Sequence, residues 1–297
     1  MSATLKLGFI GLGAMGRPMA LNLMKAGYAM TVYARRADAA APLVAAGART
    51  AESPAQVASA SDVVFSLVTA SADSEEVALG KQGIIEGARA GCVVVDMATI
   101  SPLATRRIAQ ALSARDIEHI DAPVSGGPTG ARDATLAIMA GGKPQIFELI
   151  KPLFACLGKT IVHMGEHGAG QVTKACNQLA LTVTAQASAE ALSLAKSCGL
   201  DPVRVHEVLM GGFAASRVME LFGKRMAERN FGAGIDTRLY HKDLAIVLEL
   251  AQEAGLPLPA GAVVKQQINA LMGAGEGAVD FSVLILALER AAGKGSV

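Results

Sequence analysis

Three stretches of this chain carry residue types whose spacing can do chemistry. In LKLGFIGLGAMGRPMALNLMKAG, Gly11, Gly13 and Gly16 stand in the order Gly-x-Gly-x-x-Gly directly after the apolar run of Leu7, Phe9 and Ile10. Tyr33-Ala34-Arg35-Arg36 presents two guanidiniums, with no carboxylate before Asp38. Lys174 is followed by Asn177 at i+3 and Gln178 at i+4, offsets that put an amine and two amides on one face of a helix.

Each stretch implies a different kind of contact. A glycine turn between a strand and a helix leaves backbone N–H groups unpaired at the positive end of the helix dipole, where a phosphate binds. Gly11 permits the tight turn, Gly13 lets a pyrophosphate approach the backbone, and Gly16 lets the helix lie close to the strand. Leu12, Ala14 and Met15 complete the loop that would hold the cofactor. An acid about twenty residues beyond such a turn would bond the ribose 2′-hydroxyl of NAD. Ala34, Arg35 and Arg36 occupy that place instead, and guanidiniums suit the 2′-phosphate of NADP. The residues favour NADP and leave NAD open, since a solvated basic turn reads the same way. An amine and two amides on an apolar helix are costly to bury without purpose, but a lysine in the first turns can also snorkel to solvent. Position alone does not separate those two readings.

The elements that must place these residues follow from periodicity. After the first strand the helix runs to a stop at Gly27, and YAMTVYA is a second strand. SDVVFSLV, GCVVVDMAT, IEHIDAP and ATLAIMAGG continue the strands, with helices such as SPLATRRIAQALSAR between them. Such alternation predicts an α/β, Rossmann-type domain over residues 1–164, a doubly wound parallel sheet with ligands beyond the carboxyl ends of its strands. Val68 and Thr69, Thr99, and Ser125 to Gly127 all fall in loops at that edge. From residue 165 to 297 the pattern is helical throughout, an all-α domain entered by one interdomain helix of about thirty residues framed by Gly168, Gly170 and Gly199. A helix so apolar on every side is expected to be buried on every side, by the two domains or by another subunit, which predicts a homodimer or homotetramer.

Composition narrows the partners. With 297 residues, 52% hydrophobic and 18% charged, the chain has enough apolar surface for a core in each domain and is not disordered. A net charge of +1, no tryptophan and three tyrosines give no footprint for nucleic acid or an anionic membrane. QLALTVTAQASAEALSLA is interrupted by Gln186 and Glu190 and reads as a buried helix, not a membrane span. Cys92, Cys156, Cys176 and Cys198 form no close pair and sit in apolar segments, so buried free thiols are expected. The five histidines lack ligand spacing, so no metal is expected. MSATLKLGFIG moves into the first strand without a basic leader, the pattern of a cytoplasmic enzyme or of an organellar one already trimmed.

Over nearly its whole length the sequence resembles the β-hydroxyacid dehydrogenases. The resemblance is carried by GFIGLGAMGRPMALNLMKAGY, by DAPVSGGPTGA at 121–131, by GAGQVTKACNQ at 168–178 and by HKDL at 241–244. It implies that Lys174 is the catalytic lysine, general acid in reduction and general base in oxidation. It further implies that Ser125, Gly126 and Gly127 hold the substrate carboxylate, with Asn177, Gln178 and Thr99 on the substrate side, Thr99 also near the nicotinamide, and Lys242 and Asp243 at the nicotinamide end. The expected reaction is NADPH-dependent reduction of a small carboxylate-bearing semialdehyde, with tartronate semialdehyde preferred and 3-hydroxyisobutyrate oxidation the alternative. A scaffold without turnover is the reading from another class, and Lys174, Ser125 and Asn177 weigh against it. Four positions depart from the family pattern. Ala98 stands where serine is usual, Ala233 where proline is common, Ile235 where an aromatic is common, and Gln178 where some branches carry asparagine.

Overall fold

The computed structural model describes residues 5–232 and 234–293, so Ala233 lies outside the described residues. They cluster into two compact units that divide between Lys174 and Ala175.

The first unit carries strands β1 (Lys6–Ile10), β2 (Ala29–Tyr33), β3 (Arg49–Thr50), β4 (Val63–Ser66), β5 (Val93–Asp96), β6 (Glu118–Asp121), β7 (Val124–Ser125), β8 (Leu136–Gly142) and β9 (Gly158–Gly165). They form one sheet in the order β3-β2-β1-β4-β5-β6-β8-β7, with β9 also paired to β8. Every residue of β4 and β5 is buried, as a sheet covered on both faces requires. Alternate residues feed two apolar layers: Leu7, Phe9, Phe65 and Val95 face one, while Ile10, Val64 and Val94 face the other with Ile108 and Leu112. Phe9 sits opposite Phe65 in register, their rings stacked at 5.9 Å.

From β3 to β6 all pairing is parallel, in the order 3-2-1-4-5-6 of dinucleotide-binding sheets. Beyond β6 the parallel pairing is interrupted, because β8 runs antiparallel to both β6 and β7, while β9 pairs parallel to β8. A parallel return needs a crossover that retraces the sheet. Here the chain between β6 and β8 is taken up by β7 and a helix of six residues, Gly127–Arg132.

The long helix runs from Ala169 to Ser197, 29 residues, and is stopped by Gly199 in a left-handed conformation at φ +78°. It is not buried on every side within the chain. Val172, Cys176, Ala180, Ala187 and Leu194 form an exposed stripe, with Leu194 66% exposed. Most of these are small residues whose exposure costs little in a single chain. Of the four free cysteines only Cys92 is buried; Cys176 and Cys198 are exposed.

The second unit is helical, with Thr237–Glu253, Pro259–Gly273 and Leu284–Ala291 packed on a core of Leu244, Val264, Ile268, Leu271 and Phe281. Tyr240 stacks on Phe281 at 4.2 Å. Its buried carboxylates are paired. Arg229 grips Glu289 with two hydrogen bonds of 2.9 Å, and Asp280 accepts from the amides of Ile235 and Ser282. Among the described residues no helix is long and apolar enough to cross a membrane.

Candidate active site

At the carboxyl end of β1 the three glycines meet three different surroundings. Gly11 has φ +93°, and a Cβ there would lie 2.2 Å from the Leu67 carbonyl oxygen. Gly16 opens the helix Gly16–Lys25, and a Cβ there would lie 1.9 Å from the Gly11 carbonyl oxygen and 3.0 Å from the Phe9 ring. Around a Cβ on Gly13 there is nothing within 4 Å. So the protein itself forbids side chains at Gly11 and Gly16, whereas at Gly13 it leaves open space. Ala14 and Met15 complete the turn into the helix, which has no acid in its first turn to oppose an anion.

A cavity of about 430 Å³ opens beside this loop, lined by Gly11, Leu12, Gly13, Ala34, Arg35, Arg36, Val68 and Thr69 among others. Both guanidiniums are largely exposed and loosely held, Arg35 at 4.0 Å from Asp73 and Arg36 at 3.9 Å from Asp38. Asp73 and Glu76 also line the cavity.

Further along the same sheet edge, β5 and β6 end side by side in Asp96 and Asp121. Asp96 is 3% exposed, and its Oδ1 accepts from the Ala98 amide at 3.0 Å, which folds the loop that carries Thr99. Burial raises the Asp96 carboxyl from 3.8 to about 6, against the pull of that amide; the neighbouring Asp121 adds to the rise. A carboxyl with a raised folded-state pKa favours the native state fully below its unfolded value. That contribution is lost as pH climbs through about 6. Asp96→Asn keeps an acceptor for the amide and should therefore exceed the parent in stability at pH 8, by up to about 3 kcal/mol, and match it near pH 4. Thermal unfolding of both proteins across that range checks it; a constant difference between them would refute the assignment.

Asp121, fully buried, reaches the start of the long helix. Its Oδ1 accepts from the Gly168 amide at 2.8 Å and its Oδ2 from the Gln171 amide at 3.0 Å. The Gln171 side chain turns to the Thr99 loop, donating to the Ala98 carbonyl at 2.8 Å and accepting from the Ile100 amide at 3.1 Å. Ala98 thus serves through its backbone, and its methyl lies in the apolar layer. Lys174 stands one turn beyond Gln171 on the same helix face and is 7% exposed. Of the two readings its position left open, the buried one holds. Ser125 ends β7, half-buried, and Gly126 (φ +134°) and Gly127 (φ +62°) lead into the short helix that follows.

In the second unit, Asn177 Nδ2 donates to Gln178 Oε1 at 2.8 Å, and Gln178 Nε2 donates to Asp243 Oδ2 at 2.5 Å. Lys242 Nζ lies 2.9 Å from Asp243 Oδ1. Gln178 and Asp243 are both buried, so the helix Thr237–Glu253 and the long helix are joined by a continuous polar line.

Two family models cover most of the chain. The NAD binding domain of 6-phosphogluconate dehydrogenase matches residues 6–165, and the NAD-binding domain of NADP-dependent 3-hydroxyisobutyrate dehydrogenase matches 168–288. The 2-hydroxy-3-oxopropionate reductase of Escherichia coli is 43% identical over 96% of this chain and 97% of its own. The chain belongs to the β-hydroxyacid dehydrogenase family.

Other members of the family agree in extent. The 2-(hydroxymethyl)glutarate dehydrogenase of Eubacterium barkeri is 39% identical over 99% of this chain and 98% of its own. The structure of Mycobacterium tuberculosis 3-hydroxyisobutyrate dehydrogenase with L-serine superposes with a TM-score of 0.87 at 29% identity, covering 96% of this chain and 99% of that one. As a β-hydroxyacid dehydrogenase the chain is an NAD(P)-dependent oxidoreductase. Its own residues fit the nicotinamide dinucleotide: the glycine turn that leads into a helix N-terminus lines a cavity, and Gly13, the one of the three motif glycines with nothing of the protein around an added Cβ, is where a pyrophosphate would approach the backbone.

Asp96, Asp121 and Gln171 escaped the sequence reading. Gln171 carried a usable signal, since it lies three residues before Lys174 on the same face. The two aspartates end apolar strands, and only the sheet order reveals that they adjoin.

Proposed function

We propose that this β-hydroxyacid dehydrogenase uses NADPH to reduce a small carboxylate-bearing semialdehyde, preferentially 2-hydroxy-3-oxopropionate (tartronate semialdehyde). The observation that carries the proposal is Lys174, a buried amine on a helix turn fastened to the Thr99 loop. Charge builds on a carbonyl oxygen as its carbon is reduced, and a buried ammonium is the group that meets such charge at full strength. When bound, the dihydronicotinamide supplies the hydride. Lys174 then gives the substrate oxygen a proton from Nζ and recovers one from solvent; in oxidation it removes the proton from the alcohol.

Ser125 Oγ and the amides of Gly126 and Gly127 offer donors for the substrate carboxylate. Asn177 adds an amide on the substrate side, held by Gln178. The HKDL stretch, by its resemblance to the family pattern, supports a role for Lys242 and Asp243 toward the nicotinamide. Arg35 and Arg36, with no acid at the end of β2, support the choice of NADP. The substrate preference is supported by the 43% identity to an enzyme named for that reaction. The fold match to a 3-hydroxyisobutyrate dehydrogenase supports a second reading, oxidation of that hydroxy acid. The exposed apolar stripe on the long helix supports a homodimer or homotetramer.

A panel of C3 and C4 semialdehydes and hydroxy acids, assayed with both cofactors, tests the proposal. NADPH with tartronate semialdehyde should give the highest kcat/KM. Serine at both Arg35 and Arg36 should raise the KM for NADPH about tenfold or more, by loss of charge-assisted bonds, and leave that for NADH nearly unchanged. An unaltered NADPH value defeats the assignment of the two arginines; a higher kcat/KM for 3-hydroxyisobutyrate with NAD defeats the substrate assignment.

A further inference from the structure

We propose that Gln171 and Asp121 are positioning residues, a buried clamp that sets Lys174 and the Thr99 loop in fixed register. The proposal rests on the reading of Lys174 as the proton donor and acceptor.

The first N–H groups of any helix need partners from outside it. Usually a neighbouring Ser, Thr, Asp or Asn supplies one acceptor. For the long helix the acceptor comes instead from Asp121, at the end of β6, and takes two amides at once, those of Gly168 and Gln171. Only a carboxylate presents two oxygens as acceptors; an asparagine would satisfy one of the two donors and turn an N–H against the other. The surroundings are shaped to that carboxylate. A Cβ on Gly141 would come within 2.7 Å of Asp121 Oδ1, and one on Gly170 within 2.8 Å of Oδ2. Burial pushes the Asp121 carboxyl upward while the two amides pull it down.

Gln171 completes the clamp. Its carboxamide donates to the residue before Thr99 and accepts from the residue after it, so both ends of one side chain grip the backbone on either side of Thr99. Gln171 is 1% exposed and its backbone N–H is the one held by Asp121. Neither the loop nor the first helical turn can shift without breaking buried hydrogen bonds, each broken one leaving a buried donor or acceptor unpaired. Lys174 is carried on the next turn, so its distance from whatever Thr99 touches is set by this amide. A misplacement of about 1 Å costs on the order of 10²-fold in rate, which is the reason to fasten both ends to one side chain.

Gln171→Met keeps the length and apolar volume of the side chain and removes both of its hydrogen bonds. Asp121→Asn is the second variant, which keeps one of the two amide bonds. Both are assayed with the fastest semialdehyde of the panel, beside Lys174→Ala. Gln171→Met should lower kcat by about 30–100-fold, with KM changed less than about threefold and the NADPH Kd unchanged. Its primary deuterium isotope effect on kcat, measured with NADPH deuterated at the transferred position, should rise, because a displaced proton donor makes the chemical step limiting. Asp121→Asn should move kcat and the isotope effect in the same direction. A purely structural role would lower Tm and leave the isotope effect at its parental value. That result, or a kcat within threefold of the parent in both variants while Lys174→Ala is inactive, overturns the clamp and spares the reading of Lys174. Retained turnover in Lys174→Ala overturns both.

Discussion

Lys174→Ala should lose turnover by about 10³-fold while binding NADPH with its parental Kd. The lysine is 7% exposed, so its ammonium meets a developing oxyanion with little competition from water. Alanine leaves water as the only proton donor, and water in a packed site is neither as acidic nor as well placed. The cavity assigned to the dinucleotide is lined by residues between Ile10 and Val77, and Lys174 is not among them. Lys174→Arg makes the argument sharper. Arginine restores a positive charge but does not release its proton, so it should recover only a small part of the lost rate, and by the same factor in both directions, because reduction and oxidation share one transition state. Steady-state rates in both directions, with NADPH fluorescence titration, check all three outcomes. An alanine variant retaining most of its kcat would remove the proton-transfer role.

Much of this site could be read in the sequence because its parts are local. The glycine turn, the strand before it and the helix after it lie within twenty-five residues, and Gly16 is explained by Gly11 and Phe9 within that stretch. The shared face of Lys174, Asn177 and Gln178 follows from helical spacing, and the doubly wound sheet from the alternation of strands and helices, though not the order of its strands. What stayed hidden depends on pairs far apart in the chain. Asp121 bonds residues 47 and 50 positions away, and Gln171 bonds positions 71 and 73 away. No periodicity encodes such contacts. The turn of β8 against β6 was missed for a related reason: its apolar run, LAIMAGG, reads the same in either direction. The framing glycines of the long helix set its length, whereas its apolar character does not say which face stays exposed within one chain, since alanine is compatible with both environments.

Gly13 and Gly16 should part company when each is given a side chain, as their different places in the motif imply. At Gly16 the obstacle is the protein: a Cβ would lie 1.9 Å from the Gly11 carbonyl oxygen, a backbone atom that cannot rotate away. Gly16→Ala should force the helix off β1 and lower Tm by roughly 5–10 °C. At Gly13 nothing of the protein lies within 4 Å of the added carbon, and the residue is exposed. Gly13→Val should therefore shift Tm by less than about 2 °C, while its branched side chain covers the amides that face the cavity. Losing two or more charge-assisted bonds to phosphate should raise the NADPH Kd about 100-fold or more. Calorimetry and NADPH titration on the two variants separate a glycine required by the fold from one required by the ligand. If Gly13→Val binds NADPH as the parent does, the open space at the end of β1 is not where the pyrophosphate lies.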